Sequence, residues 1–503
     1  MRFGVDFGTT TTTVATVDRG NYPVVSFEDG FGDVFDSIPS VIAYDEDGLH
    51  FGFEADRRAR AGAQHLRSFK RLLADPQVTS TTTVRLGNRD FLLLELVTLY
   101  LRYVATALRH SSSVATLDDS EPLEAAIGVP AHAWSGQRFL TLEAFRDAGW
   151  TVRSMINEPS AAGFEYTHRH AGTLNSKRTC VLVYDLGGGT FDASIVAATG
   201  TDHQILGTRG DNLLGGDDFD LVLAHCIAQA GDTDSGHLGE AAWSALIDEC
   251  KTAKEALTPN SRIVSVPLGE RIISIPVQTF YEAATPLVES TLASMLPLLV
   301  NDESGAKLGD DIAGLYVVGG GAQLPLIARI LRDHHGRRVH RSQMPTASTA
   351  IGLAIGIDPD AGFTMRDQLS RGLGVFREKE SGALVSFDTL LEPDFAVDSV
   401  KGATITRRYR AAHNIGYFRF AEYSHLDDSG VPRGDVLPFG EVLFPFDRSL
   451  QVPEIELGAY PIDRCADSPL IEERYSVDSH GIVSVQITDI ESGYSIKKNL
   501  GSA

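Results

Sequence analysis

The sequence predicts an α/β protein built from two related lobes and followed by an antiparallel β domain. Three observations predict it. A strand–turn–strand signature occurs twice, far apart in the chain. Strand and helix patterns alternate up to about residue 357, as in α/β folds. After residue 369 only short runs alternate between apolar and polar residues.

The first signature is VDFGTTTTTVATVD, residues 5–18. Five threonines, Thr9 to Thr13, suit a strand, because a branched Cβ packs well on a pleated surface. Asp6-Phe7-Gly8 interrupts the run where a turn would sit, and glycine allows close backbone approach there. Residues 181–197, VLVYDLGGGTFDASIVA, repeat the design. Asp185, Leu186, Gly187 and Thr190 fall in register with Asp6, Phe7, Gly8 and Thr11. A third glycine turn, LYVVGGG, ends at Gly321 and precedes a helical pattern. Helices are expected around LTLEAFRDAGW, from Asn157-Glu158-Pro159 onward, and from Trp243 to Leu257. The polar stretch 358–368 reads as a connector. Beyond it, Val483, Val485 and Ile487 alternate with polar residues, and Asp478-Ser479-His480-Gly481 reads as a hairpin turn.

At 503 residues the chain exceeds one core, so two or three domains are expected. Its net charge of −23 repels nucleic acid and anionic membrane surfaces, so neither is an expected partner. The four cysteines, Cys180, Cys226, Cys250 and Cys465, form no C-x-x-C pair, which implies neither a zinc site nor a disulfide framework. Cys180 leads an apolar strand and reads as core. The N-terminus, MRFGVDFG, has no apolar leader, and a cytoplasmic protein is expected. The cluster Arg332, His334, His335, Arg337, Arg338, His340 and Arg341 reads as a solvated helix end with cations near its C-terminal dipole.

Two glycine–threonine turns facing each other make a phosphate clamp, because backbone N–H groups in tight turns form anion-binding nests. Neither a Walker loop nor a dinucleotide G-x-G-x-x-G is present. Asp6 and Asp185 end the first strands of the two hairpins. Two carboxylates beside a phosphate need a cation between them, and a hydrated Mg²⁺ suits that donor set. Phosphoryl transfer also asks for a cation near the γ-phosphate.

The motifs GVDFGTTTTTVA, INEPSAAGFEY, VLVYDLGGGTFDASIV, GDNLLGGDDFD and LYVVGGGAQLPLIARIL together resemble the seventy-kilodalton heat-shock chaperones of the actin/hexokinase ATPase superfamily. The match covers residues 1–357. It extends more weakly through the β part, where IEERYSVDSHGIVSVQITDIESGYSIKKNL is similar to the end of the family's peptide-binding β sandwich. The resemblance implies an actin-like, two-lobed nucleotide-binding domain with duplicated ribonuclease-H-like cores over 1–357. It implies a linker at 358–368 and a β-sandwich substrate- or partner-binding domain over 369–503.

It further implies an ATP hydrolase that binds ATP/ADP with Mg²⁺. Lys70, Asp6, Glu158, Asp185 and Thr190 then take the catalytic positions. Gly8, Thr9, Thr10 and Thr11 form the first phosphate turn, and Gly187, Gly188 and Gly189 the second. Asp6, Asp185 and Asp192 hold the metal, mainly through water. Gly215, Gly216, Lys251, Lys254, Glu255, Thr258, Gly319, Gly320, Gly321 and Gln323 surround the nucleoside. Pro130 and Arg138 match a relay toward the β domain. The implied partners are an unfolded peptide or a dedicated client protein, a J-domain protein and a nucleotide-exchange factor, on a monomeric chain.

This chain also departs from the family. Glu255 and Gln323 stand where two arginines sandwich the adenine, which predicts weaker binding or altered base preference. The connector DPDAGFTMRDQL carries only Phe363, Met365 and Leu369 as larger apolar groups. Ser154, beside Arg153, stands where a J-protein-facing arginine is expected. The chain stops at Ala503 where a helical lid would follow, which predicts short substrate residence. The first expectation is an ATP-dependent, lidless chaperone. The alternatives are a nucleotide-switched scaffold or regulatory protein with one dedicated partner, and a polymer former or sugar kinase on the same fold.

Overall fold

In the computed structural model, the described residues are 1–115, 118, 120–170, 173–233, 238–302, 305–369, 371–379, 384–393, 395–397, 402–427, 429–434, 436–452, 455–464 and 468–501. Cys465 lies outside them, as do the side chains of residues 365–368. The chain forms two compact units. One contains Met1–Arg71, Arg102–His132 and Ile156–Met365; the other contains Leu72–Leu101, Ala133–Met155 and Arg366–Ala503.

In the first unit the two signatures fold alike. Strand Arg2–Phe7 turns back at Gly8 into Thr11–Thr16, with Asp6 opposite Thr13 and Phe7 opposite Thr12. Strand Cys180–Leu186 turns back into Phe191–Thr199, with Asp185 opposite Asp192 and Leu186 opposite Phe191. Each turn closes with the same hydrogen bond. Gly8 N–H donates to Thr11 O at 3.1 Å, and Gly187 N–H donates to Thr190 O at 2.9 Å. Each leading strand also has a parallel neighbour on its other side: Leu123–Val129 beside the first, Ile312–Val318 beside the second. The expected correspondence therefore holds residue for residue, down to the turn.

Burial explains the apolar runs. All seven residues of Cys180–Leu186 are buried, as in a strand covered on both faces. Leu182, Tyr184 and Leu186 pack with Phe219, Leu223 and Ile227; Val181 and Val183 pack with Phe164 and Ile355 on the other side. The period of two assigns the faces. Tyr184 keeps its buried hydroxyl paired with Thr291 at 2.8 Å. Helices Glu158–His170 and Ser348–Ile357 approach backbone to backbone: a Cβ on Gly352 would lie 1.7 Å from Ala161 O. Only glycine permits that contact.

One reading changes here, and the connector stretch gains detail: Thr364–Leu369 is a strand. Thr364 N–H donates to Thr201 O at 3.1 Å, and Phe363 stacks on His203 with ring centroids 5.3 Å apart. Backbone donors in a polar stretch still need partners, and a sheet supplies them. The basic cluster is not simply solvated. Arg332, His334 and His335 do close helix Pro325–His335. Arg338, however, donates to the carbonyls of Leu308 and Gly309 at 2.9 and 3.0 Å. Burial pushes half-buried His335 down to about 4, so it is uncharged at neutral pH.

In the second unit, two four-stranded antiparallel sheets enclose one core. Their strand orders are Leu384–Leu391, Gly372–Lys379, Ile415–Tyr423, Leu437–Pro445 and Ala403–Arg410, Leu470–Val477, Val483–Asp489, Ser495–Asn499. Val375, Phe418 and Phe444 meet Ile471, Val485 and Ile487 inside. The turn at 478–481 forms as expected. Asp478 Oδ1 accepts from the N–H groups of His480 and Ile482, both at 2.9 Å, and Gly481 takes φ +76°. No α-helix occurs among the described residues after 369.

The core also holds charge. Arg377 reaches both carboxylate oxygens of Glu473, at 3.0 and 2.6 Å, and Asp388 at 2.7 Å. Tyr475 donates to Glu473 at 2.5 Å. Helix Ser135–Asp147 belongs to this unit too: Ser135 N–H and Oγ–H both donate to buried Glu422, and Arg138 donates to His480 O at 3.1 Å. Burial pushes the Glu422 carboxyl up.

Candidate functional site

A cavity of about 310 Å³ opens in the first unit. Its floor is the two hairpin turns, lying side by side. A Cβ on Gly188 would sit 2.5 Å from Thr10 Cγ2, and one on Gly189 would sit 2.7 Å from Thr9 Cγ2. The third glycine turn closes on the second. Gly319 adopts φ +90°, and a Cβ there would lie 2.3 Å from Leu186 O and 2.6 Å from Asp185 Oδ1. These glycines leave backbone N–H groups free of side-chain cover, as a phosphate cradle needs.

The acids converge at the strand ends. Asp6, Glu158 and Asp185 line the cavity, and Asp192 is buried behind them. Glu158 starts its helix immediately after strand Trp150–Asn157. Lys70, in the short 3₁₀ turn Phe69–Ala74, is only 4% exposed and reaches Glu158 Oε1 at 2.6 Å. Burial, reinforced by the Glu158 charge, pushes Asp6 up to about 7 and Asp192 up to about 8. Asp185 is held well above the usual carboxylate range, first by burial and then by Glu158, Asp6 and Asp192. Lys70 acts the other way on all three. One lysine among four carboxylates leaves room for a further cation. Asp192 Oδ1 is also buried without a hydrogen-bond partner among the described residues. An all-oxygen donor set of this kind fits a hydrated divalent ion.

The opposite end of the cavity is polar. Lys254 pairs with Asp220 Oδ1 at 2.7 Å and donates to Gly216 O at 2.8 Å. Glu255 and Gln323, both exposed, line this end together with Lys251. No arginine among the described residues lines the cavity.

The structure brings most of the expected residues together. The cavity wall includes Asp6, Gly8, Thr9, Thr10, Thr11, Lys70, Glu158, Asp185, Gly187, Gly188, Thr190, Gly216, Lys251, Lys254, Glu255, Gly319, Gly320, Gly321 and Gln323. Gly189, Gly215 and Asp192 stand behind that wall. Gly215 packs on the second turn, and its N–H donates to Asp218 at 2.7 Å. Thr258 is not at the wall; it is exposed and its hydroxyl pairs with Ser261 at 3.1 Å, in the turn after helix Glu240–Glu255. Pro130 is buried at the end of strand Leu123–Val129.

Several residues in and around the wall were not anticipated. Asp217 and Asp220 follow Gly216 in LGGDDFD, and that clustering of acids was a legible signal. Arg71 follows Lys70, donates to Leu213 O at 2.5 Å and meets Asp218 at 3.2 Å, holding the two sides of the site together. Pro345, Thr346 and Thr349 lie too far along the chain for any local pattern to place them here.

Gly188→Val is expected to weaken nucleotide binding at least about tenfold, and to cost about 1–3 kcal/mol of stability, because the new side chain drives into Thr10. Calorimetric titration of ADP and a thermal melt check both parts.

The family model for Hsp70 protein matches residues 103–368, just over half of the chain. The chain is 31% identical over 388 residues to the chaperone protein HscA homolog of Tolumonas auensis, covering 74% of this chain and 61% of that protein. It is 33% identical over 382 residues to the chaperone protein HscA homologs of Burkholderia pseudomallei and Burkholderia mallei, covering 72% of this chain and 59% of each. It thus spans about three-fifths of the length of these curated relatives. With the two matched hairpins and the lysine–carboxylate cluster between them, these similarities lead to one conclusion: the chain belongs to the Hsp70 family.

Proposed function

We propose that this protein is an ATP-dependent molecular chaperone that couples ATP binding and hydrolysis to capture and release of peptide by its β sandwich. The observation that carries this reading is the buried Lys70–Glu158 pair beside Asp6 and Asp185, set over two interlocking glycine–threonine turns. In this reading residues 1–357 form an actin-like domain with duplicated ribonuclease-H-like cores, 358–368 the linker and 369–503 the binding domain. A nucleotide's phosphates lie along the backbone of both turns, with Thr190 beside the last of them. Asp6 and Asp185, with Asp192 behind them, are the residues that would hold Mg²⁺; when bound, such an ion would supply positive charge to offset that of the phosphates. Lys70 and Glu158 orient the attacking water, and the closed glycine turns exclude other water. A J-domain protein and an exchange factor are the natural partners of such a cycle.

One observation favours a second reading, a nucleotide-switched protein with one dedicated partner. Arg377, Asp388 and Glu473 fill part of the sandwich interior with charge. A pocket for many apolar peptides wants apolar walls.

Release of a labelled unfolded peptide in ATP, in ADP and in ATP with Lys70→Ala tests the first reading. Fast release in ATP alone supports a chaperone. ATP hydrolysis without peptide binding under any condition moves the assignment to the dedicated-partner switch.

A further inference from the structure

A second cavity, about 270 Å³, adjoins the first within the same unit. The two share Thr10, Asp217, Asp220 and Lys251, so they form one continuous cleft. At ~30 Å³ per water, the second cavity has space for about nine waters, ample for a phosphate group. The phosphate end of the first cavity is set by its two turns. The other end is set by Glu255, Leu257 and Gln323. Lys251 stands one helical turn before Glu255, at the junction of the two cavities. A nucleoside 5′-phosphate laid between those ends places its middle, the ribose, beside Lys251.

The charges around the cleft differ in one respect. Lys70 is paired with Glu158, Lys254 with Asp220, and Arg67 with Asp248 and Asp56. Lys251 is the one lysine or arginine lining either cavity that makes no ion pair among the described residues. It is half-buried. Its charge reaches Asp220 across the cleft, but no carboxylate holds the ammonium directly, and a half-buried ammonium so placed is stabilised by an anion brought into contact with it.

We propose that this site takes a nucleotide carrying a second anionic group on its ribose, a 2′- or 3′-phosphate, seated in the second cavity against Lys251. The proposal rests on the nucleotide reading of the first cavity. It gives the second cavity and the lysine at its junction with the first a common purpose. It also supplies an anchor to a nucleoside whose adenine-facing wall lacks arginine.

Calorimetric titration of the full chain with ADP, ADP 2′-phosphate and ADP 3′-phosphate, with magnesium present, tests it. One of the ribose-phosphorylated nucleotides is expected to bind about tenfold tighter than ADP, the scale of one charge-assisted contact. Lys251→Gln should remove that preference. Ser244→Trp, which fills the second cavity from a wall the first does not share, should remove it while ADP still binds. Equal or weaker binding of both derivatives, with ADP bound normally, overturns the proposal and leaves the nucleotide reading standing. Inorganic phosphate added with ADP that raises ADP affinity equally overturns the ribose-linked form. Failure of all three nucleotides to bind overturns the nucleotide reading itself.

Discussion

Lys70→Ala is expected to lower single-turnover ATP hydrolysis about 10²- to 10³-fold while changing nucleotide affinity far less. Among the described residues Lys70 is the one cation placed among Asp6, Glu158, Asp185 and Asp192, and it opposes the upward push that their mutual charge and burial exert. Without it, Glu158 keeps its buried position and loses its 2.6 Å partner. The group that should hold water then repels the phosphate it should help attack. Preorganised charge of this kind supplies about 2.7–4 kcal/mol per contact in other sites, which sets the expected range. The phosphate turns themselves stay intact, so binding survives. Quench-flow hydrolysis alongside an ADP titration separates the two effects. A variant that hydrolyses ATP at the full rate would remove Lys70 from the mechanism.

Arg377→Ala should destabilise the second unit by about 3–5 kcal/mol. Glu473 is fully buried and takes two hydrogen bonds from that guanidinium. Removing the arginine leaves a carboxylate in the sandwich core with only the hydroxyls of Tyr475 and Tyr409 to meet it and no positive charge. The paired change Arg377→Met with Glu473→Leu should cost much less, because it deletes the charge as well as its partner. A protein of two units does not melt as one transition, so a single melting temperature is the wrong measure. Hydrogen exchange resolves it: the single variant should lose protection along Gly372–Lys379 and Leu470–Val477, with Arg2–Phe7 unaffected. Protection retained in the single variant would show that the network contributes little.

Why the two glycine turns were legible and this network was not is a matter of range. Such a turn is made by five or six consecutive residues, so Asp6-Phe7-Gly8 and Asp185-Leu186-Gly187 announce themselves, and the repeated strand pairing keeps them in register. The helices and the 478–481 turn were equally local. Pro345, Thr346 and Thr349 reach the cavity by chain reversal, which no local pattern encodes. Thr258 was carried over from a motif match, but the chain turns outward one residue too soon. The sandwich charges did leave a trace. Glu473 shares the inward parity of Ile471, Tyr475 and Val477, and Arg377 that of Leu373 and Val375. An acid and a base on inward positions of two alternating strands form a pair that can be looked for. Reading the alternation only for apolar residues passes over them.

The contact between Gly352 and Ala161 ties helix Ser348–Ile357 to helix Glu158–His170 within one turn of Glu158. Glu158 lies three residues before that contact and His168 seven after it, about 4.5 and about 10.5 Å along the axis at 1.5 Å per residue. One rod thus carries the partner of Lys70 at one end and, toward the other, the His168 ring 6.5 Å from that of Phe363. A side chain larger than hydrogen at residue 352 would push the two helices apart and disturb both ends at once.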